Sequence, residues 1–120
     1  MESILIIDDD INLGTVLKEE LEEIGYNVHF RNSADTAFAF LENSADINLI
    51  LLDLKMPEKD GFYVLHKLKN DGYNLKIIVL TAFADVKSAI DSAKLGAADF
   101  ISKPYDLDEL IITIRKVLQT

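Results

Sequence analysis

The sequence predicts an α/β fold in which five βα units build a doubly wound parallel sheet. Two observations lead to this class. Short apolar runs of strand length alternate strictly with longer amphipathic segments along all 120 residues, without a long linker or a low-complexity segment. Hydrophobic residues make up 49% of the chain, which is enough for a globular core. We therefore expect one domain over residues 1–120.

Three of the five predicted strands are apolar on both faces, which is typical of central strands in a parallel sheet. They cover residues 3–8, 47–53 and 76–81. The stretch 26–31 alternates apolar and polar residues and the stretch 99–102 is short, so both suit the edges of the sheet. With right-handed crossovers, these positions give the flavodoxin-like strand order 2-1-3-4-5.

Five amphipathic segments are predicted to be helices. They cover residues 11–24, 34–43, a segment after Asp60-Gly61, 86–95 and 107–118. Residues with side-chain oxygens precede four of them and are expected to cap the first turn, namely Asp10, Ser33, Asp85 and Asp106. The first helix is predicted to bury one apolar face, formed by Leu13, Val16, Leu17, Leu21 and Ile24.

The composition argues against several functions. With a net charge of -9, the chain would repel nucleic acid phosphates, so direct nucleic acid binding is not expected. No apolar run approaches the roughly 20 residues of a membrane helix and no secretory signal is visible, so no membrane contact is expected. The absence of cysteine excludes disulfides and thiolate chemistry and fits a cytoplasmic protein.

Polar residues of complementary chemistry follow four predicted strands: Asp8-Asp9-Asp10, Asp53, Thr81 and Lys103. The carboxyl ends of parallel strands share one edge of the sheet, so these residues are expected to be neighbours near the switch point between strands one and three. Clustered carboxylates repel one another unless a cation joins them, and oxygen ligands suit Mg²⁺. The set therefore predicts a site for a divalent cation and a phosphoryl group, with a carboxylate as nucleophile.

Each of these residues has an ordinary structural alternative when it is considered alone. An Asp after a strand is commonly a turn former or a helix cap, and Thr81 is a common strand residue. Lys103-Pro104 could be a surface turn. The convergence of all four strand ends on one edge favours the functional interpretation.

Six short motifs are spread over the whole chain. They are Ile6-Ile7-Asp8-Asp9, Leu52-Asp53-Leu54-Lys55-Met56-Pro57, Asp60-Gly61, Leu80-Thr81-Ala82, Gly96-Ala97 and Lys103-Pro104. Together they resemble the receiver domain of bacterial two-component response regulators. The resemblance implies that Asp53 accepts a phosphoryl group from a sensor histidine kinase or a histidine phosphotransfer protein.

The resemblance also implies roles for the neighbours of Asp53. Asp9, Asp53 and the backbone carbonyl of Lys55 would bind Mg²⁺, with Mn²⁺ as a substitute ion, and Asp8 would act largely through water. Thr81 and Lys103 would contact the phosphoryl oxygens.

The same resemblance implies a switch. Thr81 would turn toward the phosphoryl group and Phe100 would fill the vacated space, so that helix four, strand five and helix five signal to a downstream protein partner. Because residue 100 is Phe rather than Tyr, no step can depend on a hydroxyl there. Lys55 and Phe83 lie two positions after Asp53 and Thr81, and neither is expected to align a hydrolytic water.

Two alternatives stay open at this stage. The stretch from Asp85-Val86-Lys87 to Asp99-Phe100 looks like receivers attached to ATPase activators of transcription, so the chain could be a receiver from a larger transcriptional regulator. Asp8-x-Asp10 after a strand also fits the opening motif of haloacid-dehalogenase-like phosphohydrolases, with Asp8 as the nucleophile. That family needs a later acidic pair and usually a larger chain. A receiver would not be an enzyme beyond catalysing its own phosphorylation and dephosphorylation.

Overall fold

Five parallel strands form one sheet in the order β2-β1-β3-β4-β5 in the computed structural model, which describes residues 2–43 and 46–120. The strands are β1 (Ser3–Ile7), β2 (Asn27–Arg31), β3 (Leu49–Leu52), β4 (Lys76–Thr81) and β5 (Asp99–Ser102). The helices are α1 (Ile11–Glu23), α2 (Ala34–Glu42), α3 (Gly61–Asn70), α4 (Val86–Lys94) and α5 (Leu107–Leu118). The predicted fold class and strand order are confirmed, and the predicted element bounds hold to within two residues.

The sheet separates two apolar cores, because successive side chains of a strand point to opposite faces. On β1, Leu5 and Ile7 pack into the core under α2 and α3, whereas Ile4 and Ile6 pack into the core under α1 and α5. Burying a side chain of this size stabilises the fold by roughly 1.5–3 kcal/mol. The central strands are therefore fixed on both faces, and so are the positions of their carboxyl ends.

The four predicted N-caps are confirmed. In each helix a side-chain oxygen accepts a hydrogen bond from a backbone N–H of the first turn, which has no partner within the helix. The bonds are Leu13 N to Asp10 Oδ1 at 3.1 Å, Thr36 N to Ser33 Oγ at 3.2 Å, Ser88 N to Asp85 Oδ1 at 2.7 Å and Asp108 N to Asp106 Oδ1 at 2.9 Å.

The buried face of α1 is narrower than predicted. Leu17 and Leu21 are fully buried, but Val16 is 53% exposed and Ile24 is 41% exposed, so the prediction is wrong for these two residues. Val16 lies about 100° around the helix from Leu17, and Ile24 is the C-cap, beyond the last helical residue. None of the described helices has the length and apolarity needed to cross a membrane.

Candidate functional site

The carboxyl ends of the strands bring the predicted site residues to one edge of the sheet. Backbone hydrogen bonds between neighbouring strands continue just past the strand ends. Asp8 N–H donates to the Arg31 carbonyl at 3.2 Å, and Asp53 N–H donates to the Ile7 carbonyl at 3.0 Å. Lys103 N–H donates to the Thr81 carbonyl at 2.9 Å. The backbone of each of these residues is therefore held by the adjacent strand.

The acidic residues form a cluster as predicted. Asp8, Asp9 and Asp53 each offer one carboxylate oxygen, and these oxygens all lie within 4.8 Å of one another. Asp8 and Asp53 are buried, whereas Asp9 is exposed. Oxygen donors at this spacing suit a hard divalent cation that keeps part of its water shell. The donor set therefore fits the implied metal, with access from the side of Asp9.

Asp53 is surrounded by hydrogen-bond donors. Its Oδ1 accepts a bond of 2.6 Å from the Thr81 hydroxyl and a bond of 3.1 Å from the backbone N–H of Lys55. Its Oδ2 accepts a bond of 3.1 Å from the Lys103 ammonium. The predicted proximity of Thr81 and Lys103 to Asp53 is confirmed.

Lys103 also joins Asp53 to Asp8. Its Nζ lies 2.6 Å from Asp8 Oδ2, and the two side chains are only 13% and 3% exposed. Burial raises the pKa of Asp8, and the hydrogen bond from Lys103 offsets part of that increase. Burial lowers the pKa of Lys103, but its hydrogen bond to Asp8 and the charges of Asp8 and Asp53 outweigh this, so that its pKa is raised overall. Lys103 is therefore a fixed positive charge between two carboxylates.

A cleft of about 320 Å³ opens beside this network. Its lining consists of Asp9, Asp53, Lys55, Thr81, Ala82 and Phe83. The Lys55 ammonium lies 5.9 Å from the centre of the Phe83 ring, so these two side chains flank the cleft together. Asp8 does not belong to the lining; it is buried, and its carboxylate is held by Lys103 and the backbone N–H of Asp10.

The two residues of the predicted switch occupy distinct positions. The Thr81 hydroxyl already faces Asp53, and its oxygen accepts a hydrogen bond of 3.1 Å from the backbone N–H of Phe83. Phe100 is partly buried and packs against the core under α2 and α3. The movement of Thr81 and Phe100 on phosphorylation stays a prediction.

Sequence reasoning missed one contact that holds the loop after β5. The Tyr105 hydroxyl donates a hydrogen bond of 2.6 Å to Glu20 Oε1 on α1. Burial and this hydrogen bond raise the pKa of Tyr105, so the hydroxyl keeps its proton. The two residues are 85 positions apart, and no local pattern signals such a pair.

These features define a class of protein. The family model described as "Response regulator receiver domain" matches residues 4–115, and the chain belongs to this family. Receiver domains are phosphorylation signalling modules rather than catalytic enzymes, and they partner with histidine kinases. The set of Asp8, Asp9, Asp53, Thr81 and Lys103 is typical of their phosphoacceptor site, and the acidic cluster is consistent with their divalent metal site.

Individual relatives support the assignment. The chain is 36% identical to the regulatory protein AtoC of Escherichia coli (strain K12) over 118 residues, which cover 97% of this chain and 25% of AtoC. It is 38% identical to the probable transcriptional regulator ycf27 of Porphyridium aerugineum, covering 98% of this chain and 48% of that protein. The chain thus spans a quarter to a half of these curated relatives.

Among solved structures, the receiver domain protein (CheY-like) of Methanospirillum hungatei JF-1 superposes with a TM-score of 0.92 at 32% identity, covering 99% of this chain and 94% of that chain.

Proposed function

We propose that Asp53 is the phosphoacceptor of this receiver and takes its phosphoryl group from a phosphohistidine on a sensor histidine kinase or a histidine phosphotransfer protein. One observation carries the proposal: Asp53 lines the open cleft and accepts hydrogen bonds from both Thr81 and Lys103. A hydroxyl and an ammonium therefore lie beside the position that the phosphoryl oxygens would take.

The transfer needs little covalent chemistry from the protein. A carboxylate oxygen of Asp53 attacks the phosphorus and a new O–P bond forms. The P–N bond of the phosphohistidine breaks, and its electron pair stays on the imidazole nitrogen. Positioning and charge stabilisation dominate such transfers, and Lys103 and Thr81 supply a positive charge and a hydrogen bond for the phosphoryl oxygens. In this sense the receiver catalyses only its own phosphorylation and dephosphorylation.

The acidic cluster has a second task in this proposal. Asp8, Asp9, Asp53 and the backbone carbonyl of Lys55 would hold Mg²⁺, or Mn²⁺ in its place. When bound there, such a cation would supply positive charge that offsets the negative charge of the acceptor and the phosphoryl group. The three carboxylate oxygens within 4.8 Å of one another support this role.

The signal would leave through α4, β5 and α5 toward a downstream protein partner. A phosphoryl oxygen on Asp53 would take over the hydrogen bond that the Thr81 hydroxyl now donates to the carboxylate. Thr81 Oγ1 also accepts a hydrogen bond from the backbone N–H of Phe83, which lies three residues before α4 begins. A shift of Thr81 would therefore displace the backbone that leads into α4. Phe100 would adjust its packing to the new position of Thr81.

Phosphorylation by a small donor tests the acceptor directly. Incubation with acetyl phosphate and Mg²⁺ should add one phosphoryl group to the intact protein, as measured by mass spectrometry. Asp53→Asn should abolish this addition, because an amide is not a nucleophile here. Asp71→Asn, on the exposed end of α3, serves as the control and should react like the parent. Equal phosphorylation of Asp53→Asn and the parent would refute the assignment.

Thermal unfolding tests the cation. A ligand that binds only the folded state stabilises it, by about 1.4 kcal/mol at tenfold excess over its Kd. Mg²⁺ should therefore raise the Tm of the parent, and Asp9→Ala should remove most of this increase. Asp71→Ala should keep it. A Tm that stays constant across millimolar Mg²⁺ would argue against the site.

A second candidate is a receiver that forms part of a larger transcriptional regulator. It is favoured by the curated relatives, which include a "Probable transcriptional regulator" of which the chain covers 48%. The alternative, a single receiver over residues 1–120, predicts an open reading frame of this length at its locus. Sequencing the transcript on both sides of this segment distinguishes the two.

A phosphohydrolase that uses Asp8 is disfavoured by the geometry. Asp8 is 2% exposed, lies outside the cleft lining and is paired with Lys103. Mapping the phosphorylated peptide distinguishes the two hypotheses: a phosphohydrolase would carry the phosphoryl group on Asp8, and the proposed receiver carries it on Asp53.

A further inference from the structure

We propose that Gly61 is a positioning residue for Asp53, an inference that rests on the proposed role of Asp53 as phosphoacceptor. Gly61 is the buried first residue of α3, and its N–H donates a hydrogen bond of 2.9 Å to the Leu54 carbonyl. The helix therefore begins directly against the loop that carries Asp53. Position 61 requires glycine because the close contact between the start of α3 and this loop leaves no room for a side chain.

A Cβ atom at position 61 would collide with this loop. It would lie 2.5 Å from the Asp53 carbonyl oxygen, 2.6 Å from the Leu54 Cα and 3.1 Å from the Asp53 carbonyl carbon. All three are backbone atoms, and ordinary contact starts at 3.4 Å. The peptide between Asp53 and Leu54, or the start of α3, would have to move by about 1 Å to accept a methyl group.

Helix α3 has little freedom to move away. Val64, Leu65 and Leu68 are buried in the core under α2 and α3, with exposures of 0%, 0% and 2%. The Asp60 carboxylate holds the first turn through a bond of 3.0 Å from the backbone N–H of Tyr63. Moving the helix away would disturb both the apolar packing of α3 and the bond to Asp60. The shift that a methyl group at position 61 requires therefore falls largely on the peptide that carries Asp53.

The Asp53 carboxylate does not tolerate such a displacement. Its bonds to Thr81, Lys55 and Lys103 measure 2.6, 3.1 and 3.1 Å. Hydrogen bonds weaken steeply outside their narrow range of distance and angle. In group transfer, a misplacement of about 1 Å can cost about 100-fold in rate. Gly61 thus leaves space for the backbone that aims the nucleophile.

Gly61→Ala is the test variant, and Gly72→Ala is its matched control. Gly72 follows the opposite end of the same helix, where a Cβ would meet nothing within 4 Å. Its φ of +73° makes alanine unfavourable there, so the control also loses stability, but it does so away from Asp53. The measurements are the rate of phosphorylation by acetyl phosphate, the Mg²⁺ affinity by calorimetry and the Asp53 side-chain ¹³C chemical shift.

We expect Gly61→Ala to slow phosphorylation by about 100-fold, to weaken Mg²⁺ binding and to shift the Asp53 resonance. Gly72→Ala should match the parent in all three, at a temperature where every variant is folded.

A Gly61→Ala rate within twofold of the parent would overturn the proposal. Equal slowing in both variants would also overturn it, since the cause would then be lost stability. If even the parent is not phosphorylated, the proposed function fails, while the Mg²⁺ affinity and the chemical shift still decide on positioning.

Gly61→Ala could fail to fold, even when the osmolyte trimethylamine N-oxide is added to stabilise it. A second variant tests the proposal in that case. Chemical synthesis can replace Gly61 by glycolic acid, which removes the N–H that bonds to Leu54 without adding an atom to the crowded side. Loss of this bond should slow phosphorylation by about threefold to tenfold. An unchanged rate and an unchanged Asp53 resonance would overturn the proposal.

Discussion

The carboxyl edge of the sheet and helix α4 are neighbours, but different interactions hold them. At the edge, the buried side chains of Asp8, Asp53 and Thr81 share a network with Lys103, with distances of 2.6 to 3.1 Å. Helix α4 buries only Ser88 and Ser92 completely, whereas its apolar residues Val86 and Ile90 are 76% and 50% exposed. The first region is fixed by polar contacts, and the second gains little from burial.

In the proposed function, this difference would separate the phosphoryl chemistry at the sheet edge from a conformational response of α4. Nucleophile and charges need a fixed geometry, whereas an element that responds to phosphorylation needs two states of similar free energy. Elements with few buried apolar contacts belong to the least stable parts of a fold. Helix α4 meets this description, and α5 does not, because α5 buries Leu110, Ile114 and Val117.

The largest expected effect compares the same substitution in the two helices. Ile114→Ala on α5 should lower the free energy of unfolding by about 3 kcal/mol, because it removes a fully buried side chain. Ile90→Ala on α4 should change it by no more than about 0.5 kcal/mol. Urea unfolding measures both. Similar losses in the two variants would show that α4 is anchored as firmly as α5.

A smaller effect is expected from the charge network. Lys103→Met leaves Asp8 and Asp53 without their counter-charge, which should cost about 2 kcal/mol in the absence of divalent cations, somewhat less than a fully buried pair. The control is Lys116→Met. It removes an ion pair in which Lys116 Nζ lies 3.5 Å from Asp99 Oδ2, and the Lys116 side chain is 70% exposed. Its loss should lower the free energy of unfolding by about 0.5 kcal/mol at most. Equal costs would mean that the edge is not held by its charges.

Two residues that line the cleft, Lys55 and Phe83, should control how long the phosphoryl group stays on Asp53. Lys55 and Phe83 flank the cleft, and neither side chain can accept a hydrogen bond from an attacking water, so phospho-Asp53 should decay slowly. The double variant Lys55→Asn and Phe83→Glu should decay about tenfold faster, equivalent to about 1.4 kcal/mol. Val86→Glu adds the same negative charge as Phe83→Glu but outside the cleft, and it should leave the decay unchanged. If the double variant decays no faster than the parent, these two side chains do not limit hydrolysis.

The features that the sequence predicts correctly have local signals. Apolar runs mark the strands, and capping residues such as Asp10 and Ser33 mark the helix starts. Because parallel strands end at one edge, Asp8, Asp53 and Lys103 can be placed together without a structure. The proximity follows from topology.

What the sequence does not predict depends on contacts between distant segments. Periodicity alone assigned Val16 to the core, since it does not show how far neighbouring elements cover a helix. The bond between Tyr105 and Glu20 joins two surface segments without a pattern. The need for glycine at position 61 arises only when α3 is packed against the Asp53 loop.

The smallest expected effect concerns the cap of α4. The hydrogen bond from the backbone N–H of Ser88 lowers the pKa of Asp85 below its ordinary value of 3.8. A carboxylate whose pKa is lower in the folded state stabilises that state above the unfolded pKa, and this contribution is lost as the pH falls through the folded pKa. Protonation of Asp85 should therefore loosen the first turn of α4 below about pH 4.

Carboxyl ¹³C titration by NMR gives the midpoint for Asp85, and hydrogen exchange reports on the first turn of α4 across the same pH range. Asp85→Asn keeps a good cap that does not titrate, so the exchange of its α4 amides relative to those of α5 should not change over this range. In the parent, this ratio should rise as the pH falls. A midpoint at or above 3.8, or the same ratio in the parent and Asp85→Asn, would show that the ionised cap does not hold α4. Since α4 gains so little from apolar burial, a single cap should be a larger share of its local stability than Asp106 is of α5.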